Sequence, residues 1–435
     1  MNRFASSGAR ICALGLGALA MAPATALAAT PGAVDPAATA WILSASALVL
    51  LMTLPGLALF YGGLVREKNV LSVLMQCVAI ACVCTALWLA VGYSLAFSGT
   101  AGFIGDLNRV FLGADPRSAL VGSLPEPVFF LFQTTFAIIT PALIVGAVVE
   151  RARFAAVLLF SGLWLLAVYA PVTHWIWGGG WLAKLGIMDY AGGLVVHATA
   201  GVSALVFAMR VGPRESFPRD PAPPHNPGMT MIGAGLLWVG WFGFNGGSAL
   251  SAGADAGMAI VATHVSACAA GLVWGAVEWI RFGRPSMIGV VTGVVAGLAT
   301  VTPASGFVGP GGGLVLGAAG SLVCFYAVHL VKGRLKIDDS LDVFAVHGVG
   351  GILGILLVSV LASPAFGGAG FPAGHGVGAQ LGVQLLGLAA VVVWSGVVTL
   401  GLLWVVNRLV SLRASDIAIE DGLDLAEHGE RASQS

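Results

Sequence analysis

The stretch Asp189-Tyr-Ala-Gly-Gly-Leu-Val-Val-His197 decides the reading, because its pattern returns as Asp339-Ser-Leu-Asp-Val-Phe-Ala-Val-His347. Each has an aspartate, seven residues and then a histidine preceded by valine. Small residues follow, Ala198-Thr199-Ala200-Gly201 in one case and Gly348-Val349-Gly350-Gly351 in the other. Both lie in apolar runs, where an ionisable side chain is expensive and marks a functional site by default. Two matching copies point to one site built where two repeats meet.

Composition sets the surroundings. The chain has 435 residues, 58% hydrophobic and 9% charged, with a mean hydropathy of +0.94. Soluble domains are far less apolar. A net charge of zero gives no basic footprint for nucleic acid. The 62 glycines suit membrane helices whose backbones approach closely. Apolar runs of spanning length, about 20 residues, fall at 38–62, 70–98, 126–149, 154–172, 190–210, 229–250, 256–280, 286–304, 311–331, 343–363 and 379–407. The expected fold is therefore an all-α polytopic membrane protein with eleven transmembrane helices.

The N-terminus reads as a signal peptide: Arg3 and Arg10, an apolar stretch at 11–21, and Ala26-Leu27-Ala28 as the cleavage site. A short first span is the competing reading, and Pro23 interrupts it. The domains are then 1–28, a cleaved signal peptide; 29–408, the transmembrane domain; and 409–435, a cytoplasmic tail. With the N-terminus outside, fifteen lysines and arginines fall in inner segments, from Arg66 and Lys68 to Arg413 and Arg431. Only Arg109, Arg117 and Lys184 fall outside, which satisfies the positive-inside rule. Asp189 then opens helix 5 from outside and Asp339 precedes helix 10 from inside. Helices 1–5 and 6–10 form an inverted repeat, helix 11 is extra, and the C-terminus is inside. Eight residues of helix span about 12 Å, so each histidine reaches towards the midplane and the two can meet on the pseudo-two-fold axis.

Two buried imidazoles can share a hydrogen bond, one nitrogen donating and one accepting. Burial disfavours a charged ring, so the pair suits a small neutral or transiently protonated solute. The plainer alternative is helix–helix glue, which explains one histidine better than a mirrored pair. His264 and His329 lack the aspartate pattern and read as satisfied packing or interface residues; His174 lies near the outer surface. No acidic cluster supports a metal site, and the five cysteines beyond Cys12 read as packing residues. Phe132 and Phe136 share a helix face, Trp175 and Trp177 precede Gly178-Gly179-Gly180, and Trp241-Phe242-Gly243-Phe244-Asn245-Gly246-Gly247-Ser248 closes helix 6. These aromatics serve equally as an interfacial belt or, with Trp177, Phe136 and Ser248 together, as a cation–π cage.

These strings resemble the bacterial ammonium transporters of the Amt type, in the Amt/Mep/Rh superfamily. The resemblance rests on Phe132-Gln-Thr-Thr-Phe136, Glu150-Arg151-Ala-Arg153-Phe154, Trp177-Gly-Gly-Gly180, Asp189-x7-His197, Gly240-Trp-Phe-Gly-Phe-Asn245, Val301-Thr-Pro303 and Asp342-Val-Phe-x-Val-His347-Gly, and it covers residues 40 to 430. It implies an ammonium-recruitment site at Trp177, Phe136 and Ser248 with Asp189 beneath it, a gate of Phe136 and Phe244, and a pore at His197 and His347. Phe132, Tyr169 and Thr302 match vestibule or pore-adjacent positions; Asp189 can also be read as a helix N-cap. The implied substrate is ammonium or ammonia, with methylammonium as analogue, and the implied place is the cell inner membrane.

The tail segment Gly422-Leu-Asp-Leu-x-Glu-His428-Gly-Glu resembles the family's regulatory tail, which implies a homotrimer and a PII-type signalling partner. By composition the acidic tail reads as mostly extended and solvated. Tyr190 and Gly246 depart from residues common in close relatives. No catalytic triad, nucleotide loop or cofactor motif is present, so an enzyme is not expected. A Rh-like gas channel and an ammonium sensor are the rival readings.

Overall fold

Lipid offers a peptide group no hydrogen bond, so an apolar run must satisfy its backbone internally as helix. The computed structural model describes residues 33–215, 217–218 and 223–433; the expected signal peptide at 1–28 lies outside them. Each of the eleven apolar runs contains a helix: α1 Pro36–Leu64, α2 Glu67–Phe97, α3 Glu126–Val145, α4 Phe154–Lys184, α5 Gly193–Val211, α6 Pro227–Gly247, α7 Ala254–Phe282, α8 Met287–Val301, α9 Pro310–Arg334, α10 Phe344–Leu361 and α11 Val377–Leu409. Nine are long and apolar enough to cross a membrane. The others are α6, rich in glycine and tryptophan, and α8, only 15 residues long. Among the described residues, extended pairing is confined to a ribbon of Leu120–Val121 and Leu124–Pro125 and one bridge between Ala152 and Arg413.

Several helices are not regular throughout. Widened π turns occupy Met52–Leu57, Trp88–Gly92, Leu165–Tyr169, Gly193–Ala198, His329–Arg334 and Phe344–Gly348. In the first, Pro55 supplies the cause, since its ring carries no N–H for the preceding turn. Two of these turns carry the histidines of the repeated pattern: His197 lies in Gly193–Ala198 and His347 in Phe344–Gly348. Such turns are frequent at functional sites.

α5 and α10 cross within their first three turns. A Cβ on Gly201 would meet Gly348 Cα at 2.3 Å, and one on Gly351 would meet His197 Cβ at 2.7 Å. Glycine is required at this crossing because any side chain would push the helices apart. The two helices run away from the crossing in opposite directions. The close of α5 meets the tail through the Val211 carbonyl's bond from Arg413, and Arg151 joins the next carbonyl, Gly212, to that of Asp338 just before α10, so one helix ends where the other begins.

At the tail end the turns between helices are tied by buried charge. Arg151 is fully buried. Its guanidinium donates to the carbonyls of Gly212 (2.7 Å), Val149 (3.2 Å), Ala147 (3.0 Å) and Asp338 (2.6 Å) and to Ser340 Oγ (2.6 Å). Burial pulls it down to about 10, which leaves it charged at neutral pH. Arg214 bridges Glu150 (3.2 Å) and Asp338 (2.9 Å), and Arg66 reaches Glu150 at 3.1 Å. Burial raises the Glu150 carboxyl, but Arg214 and Arg66 outweigh it and hold the group below its ordinary value.

The tail corrects the expectation of an extended end. It forms two short helices, α12 Asp416–Asp421 and α13 Leu423–His428. Ser415 Oγ caps the first at the Ala418 N–H, and Gly422 at φ 99° makes the turn between them. Asp424 then accepts from the amides of Leu71 (3.0 Å) and Ser72 (2.7 Å) at the start of the regular part of α2. Lys68 Nζ donates to the Glu420 carbonyl. Composition could not show these specific anchors.

Candidate functional site

Both histidine turns are built the same way. The Asp189 carboxylate accepts from the amides of Gly192 (2.9 Å), Gly193 (2.5 Å), Leu194 (2.8 Å) and Val195 (3.1 Å). Asp339 accepts from Val343 (2.9 Å) and Phe344 (2.8 Å). Each aspartate thus satisfies amides that a helix start leaves unpaired. The rings they position meet: His197 Nδ1 and His347 Nδ1 are 3.3 Å apart and the rings stack at 21°. One Nδ1 must donate and the other accept, so the two rings hold complementary tautomers and each turns Nε2 elsewhere.

Above the pair stands a column of aromatic rings. Trp241 stacks on His197 with centroids 5.7 Å apart. Phe244 lies 6.2 Å from His197 and stacks on Phe136 at 4.1 Å and 24°. Trp177 meets Phe136 edge-on at 5.8 Å, and its indole N–H donates to the Asp189 carbonyl at 2.8 Å. Ser248, the residue that follows α6, donates to the Phe244 carbonyl one turn back at 2.8 Å. Trp177, Phe136 and Phe244 are thus in ring contact, and Asp189 touches Trp177 through backbone and His197's turn through its carboxylate.

The remaining expected residues sit around this column. Phe132 packs edge-on against Phe136 at 5.1 Å. Thr302 accepts the Trp241 indole N–H at 2.8 Å and so acts on the column through Trp241. Tyr169 is buried with Trp88 at 5.8 Å and Trp164 at 6.4 Å, in a separate aromatic cluster. His174 is fully buried, with its ring nitrogens on the Ala96 and Ala101 carbonyls. His264 and His329 lie on exposed helix faces rather than in the packed interior. Among the described residues no group of three or more His, Cys, Asp or Glu could hold a metal.

Two cavities follow the line of the column. The first is narrow, about 10 Å³, and is lined by both histidines, Trp241, Phe244 and aliphatic residues such as Ile139 and Leu237. Within it His197 Nε2 is buried and has no hydrogen-bond partner. The second, about 200 Å³, lies towards the tail end and shares Phe60, Val295 and His347 with the first. Arg214, Lys332 and Asp342 line it, with Lys332 and Asp342 paired at 2.7 Å. Sequence reasoning assigned Trp241 no role, although its spacing of three from Phe244 placed both on one face. It also missed this charged mouth, whose members come from three distant segments.

Among the described residues, nine helices long and apolar enough to cross a membrane define an integral multi-pass membrane protein. The profile of the Ammonium Transporter Family matches residues 40–433, and the chain belongs to that family. The ammonium transporter Amt1 of Archaeoglobus fulgidus is 44% identical over 395 residues, 90% of this chain and 98% of that one. The ammonium transporter of Bacillus subtilis is 42% identical, covering 91% and 98%. Among solved structures, Saccharomyces cerevisiae Mep2 matches with a TM-score of 0.81 and 37% identity, over 90% of this chain and 92% of that one. A protein described as a Sensor Amt Protein matches at 0.82 and 28%, over 90% and 98%.

Proposed function

We propose that this chain carries ammonium across a membrane, recruiting the ion at the aromatic column and passing ammonia along the two histidines. The carrying observation is the unpartnered His197 Nε2 in the otherwise apolar chamber beneath Phe244. A buried polar atom without a partner costs free energy, and a small solute with both donor and acceptor would satisfy it. The names of the relatives in Archaeoglobus fulgidus and Bacillus subtilis support ammonium as that solute.

The physics sets the order of events. Desolvating a whole ion costs several kcal/mol at least and, in the ideal limit, about 20. Cation–π contacts return about 2 kcal/mol. Ammonium therefore binds at Trp177, Phe136 and Ser248, with Asp189 holding the site's backbone. It gives up its proton to water near the Phe136–Phe244 gate, and neutral ammonia enters the chamber. There ammonia accepts from one imidazole and donates to the other before leaving through the mouth lined by Asp342 and Lys332. Potassium has no proton to lose and stops at the gate. Phe132, Tyr169 and Thr302 support this path from outside it, and the proton's own route is read from the current.

The same reading takes the protein as eleven spans in inverted repeat, N-terminus outside and tail inside, in a cell inner membrane. It assembles as a homotrimer, and the docked tail faces a PII-type partner. The test is an ammonium pulse on proteoliposomes, with current and internal pH recorded for the parent and for His197→Ala/His347→Ala. Saturable ammonium entry abolished in the double variant is expected. Unchanged entry would remove the histidines from the path. Binding without entry would favour the sensor reading suggested by the structural relative described as a sensor.

A further inference from the structure

The segment Ile187–Asp189, which leads into the entry site, belongs to no helix or strand. Its backbone is held by a side chain from α11. Gln384 is fully buried. Its Oε1 accepts from the Met188 amide at 3.0 Å and its Nε2 donates to the Met188 carbonyl at 2.7 Å. The side-chain amide thus pairs with both backbone groups of Met188, as a neighbouring strand would. Nε2 also reaches the Ile355 carbonyl on α10 at 3.3 Å, two turns beyond His347. Gln380, one turn earlier and equally buried, donates to Gln384 Oε1 (3.1 Å) and to the Gly186 carbonyl (3.0 Å). A Cβ on Gly387 would meet Ile187 Cδ1 at 2.6 Å, so α11 lies directly on this segment.

Met188 immediately precedes Asp189, whose carbonyl anchors the Trp177 indole and whose carboxylate closes the His197 turn. Loss of the Gln384 amide would leave two backbone groups of Met188 unpaired and let Asp189 shift. A buried amide with every donor and acceptor engaged fixes geometry in a way that an apolar side chain of equal size cannot. We propose that Gln384 is a positioning residue for the ammonium entry site, acting through Met188 on Asp189 and Trp177. This rests on the entry-site reading above.

The test measures initial ammonium uptake against concentration in proteoliposomes for the parent, Gln384→Met, Gln384→Glu and Trp177→Leu. Gln384→Met is expected to raise the half-saturating concentration about threefold or more, the size of a modest lost interaction, with a smaller change in maximal rate. Gln384→Glu keeps an acceptor and regains a donor only when protonated. Its half-saturating concentration, taken relative to the parent, is therefore expected to recover as pH is lowered, which mere packing would not produce. If Trp177→Leu raises the half-saturating concentration and Gln384→Met leaves it unchanged, the inference is overturned and the entry site stands. If Trp177→Leu itself changes nothing, the entry-site reading falls and takes the inference with it. Should Gln384→Met fail to fold, a pH-independent defect in Gln384→Glu overturns the positioning role.

Discussion

Replacing Gly201 by alanine tests the crossing on which the histidine pair depends. The added Cβ would stand 2.3 Å from Gly348 Cα and 2.5 Å from its nitrogen. Carbon atoms pack at about 3.5–4.0 Å, so α5 and α10 must separate by roughly 1 Å or more. The obstacle is backbone, which cannot rotate aside. Overpacking of this kind costs about 1–3 kcal/mol. The imidazole nitrogens, 3.3 Å apart, would then lie beyond hydrogen-bond range. Thermal melts in detergent and ammonium-driven uptake on one preparation should both fall for Gly201→Ala. Gly382→Ala provides the contrast. That glycine sits in α11 with nothing within 4 Å of a Cβ, and alanine there should hold stability or raise it by up to about 1 kcal/mol. Parent-like melting and uptake in Gly201→Ala would refute the argument, as would equal damage from Gly382→Ala.

Three further outcomes are expected. Asp189→Ala strips the acceptor from four amides and Asp339→Ala from two. The first should cost about 2 kcal/mol or more, the upper end for a lost cap, and the reverse order in melts would contradict the capping account. Thr302→Val leaves the Trp241 N–H unpaired and should cost about 1–3 kcal/mol; adding Trp241→Phe should recover part of it, and simple additivity in the double variant would count against the pairing. Glu150 has a folded-state value below its unfolded one because Arg214 and Arg66 outweigh burial. Its contribution is therefore complete above the unfolded carboxyl value and disappears as pH falls through the folded one. The melting gap between the parent and Glu150→Gln should be wide at neutral pH and close in acid; a constant gap would show that the ion pairs are not its source.

The apolar runs announced the helices because hydrophobicity alone decides where a chain can be helical in lipid. The repeated Asp-x7-His pattern announced the two rings that meet, since local spacing fixes how far into a helix each histidine sits. What sequence could not show came from contacts between distant segments. Nothing local marks Arg151 as fully buried, because its acceptors are the carbonyls of Gly212 and Asp338 and the hydroxyl of Ser340. The tail read as extended because its anchors, the Leu71 and Ser72 amides, lie some 350 residues away in sequence. The π turns that carry both histidines are also silent, since their side chains are ordinary valines, glycines and alanines. Tyr169 is placed by resemblance alone, and its ring contacts with Trp88 and Trp164 come from segments its own sequence neighbourhood does not announce.

The buried guanidinium of Arg151 has a kinetic consequence. It fastens the close of α3, the close of α5 and the approach to α10 through five acceptors at once. A mechanism in which halves of the protein rock about a central site would have to break the guanidinium's two bonds to Asp338 and Ser340 in every cycle. On the proposed reading the frame stays in place and only side chains move. Turnover should then follow ring flips, which belong to the nanosecond range for free side chains, rather than collective motions of microseconds to milliseconds. Crosslinking the frame should slow such a conduit very little.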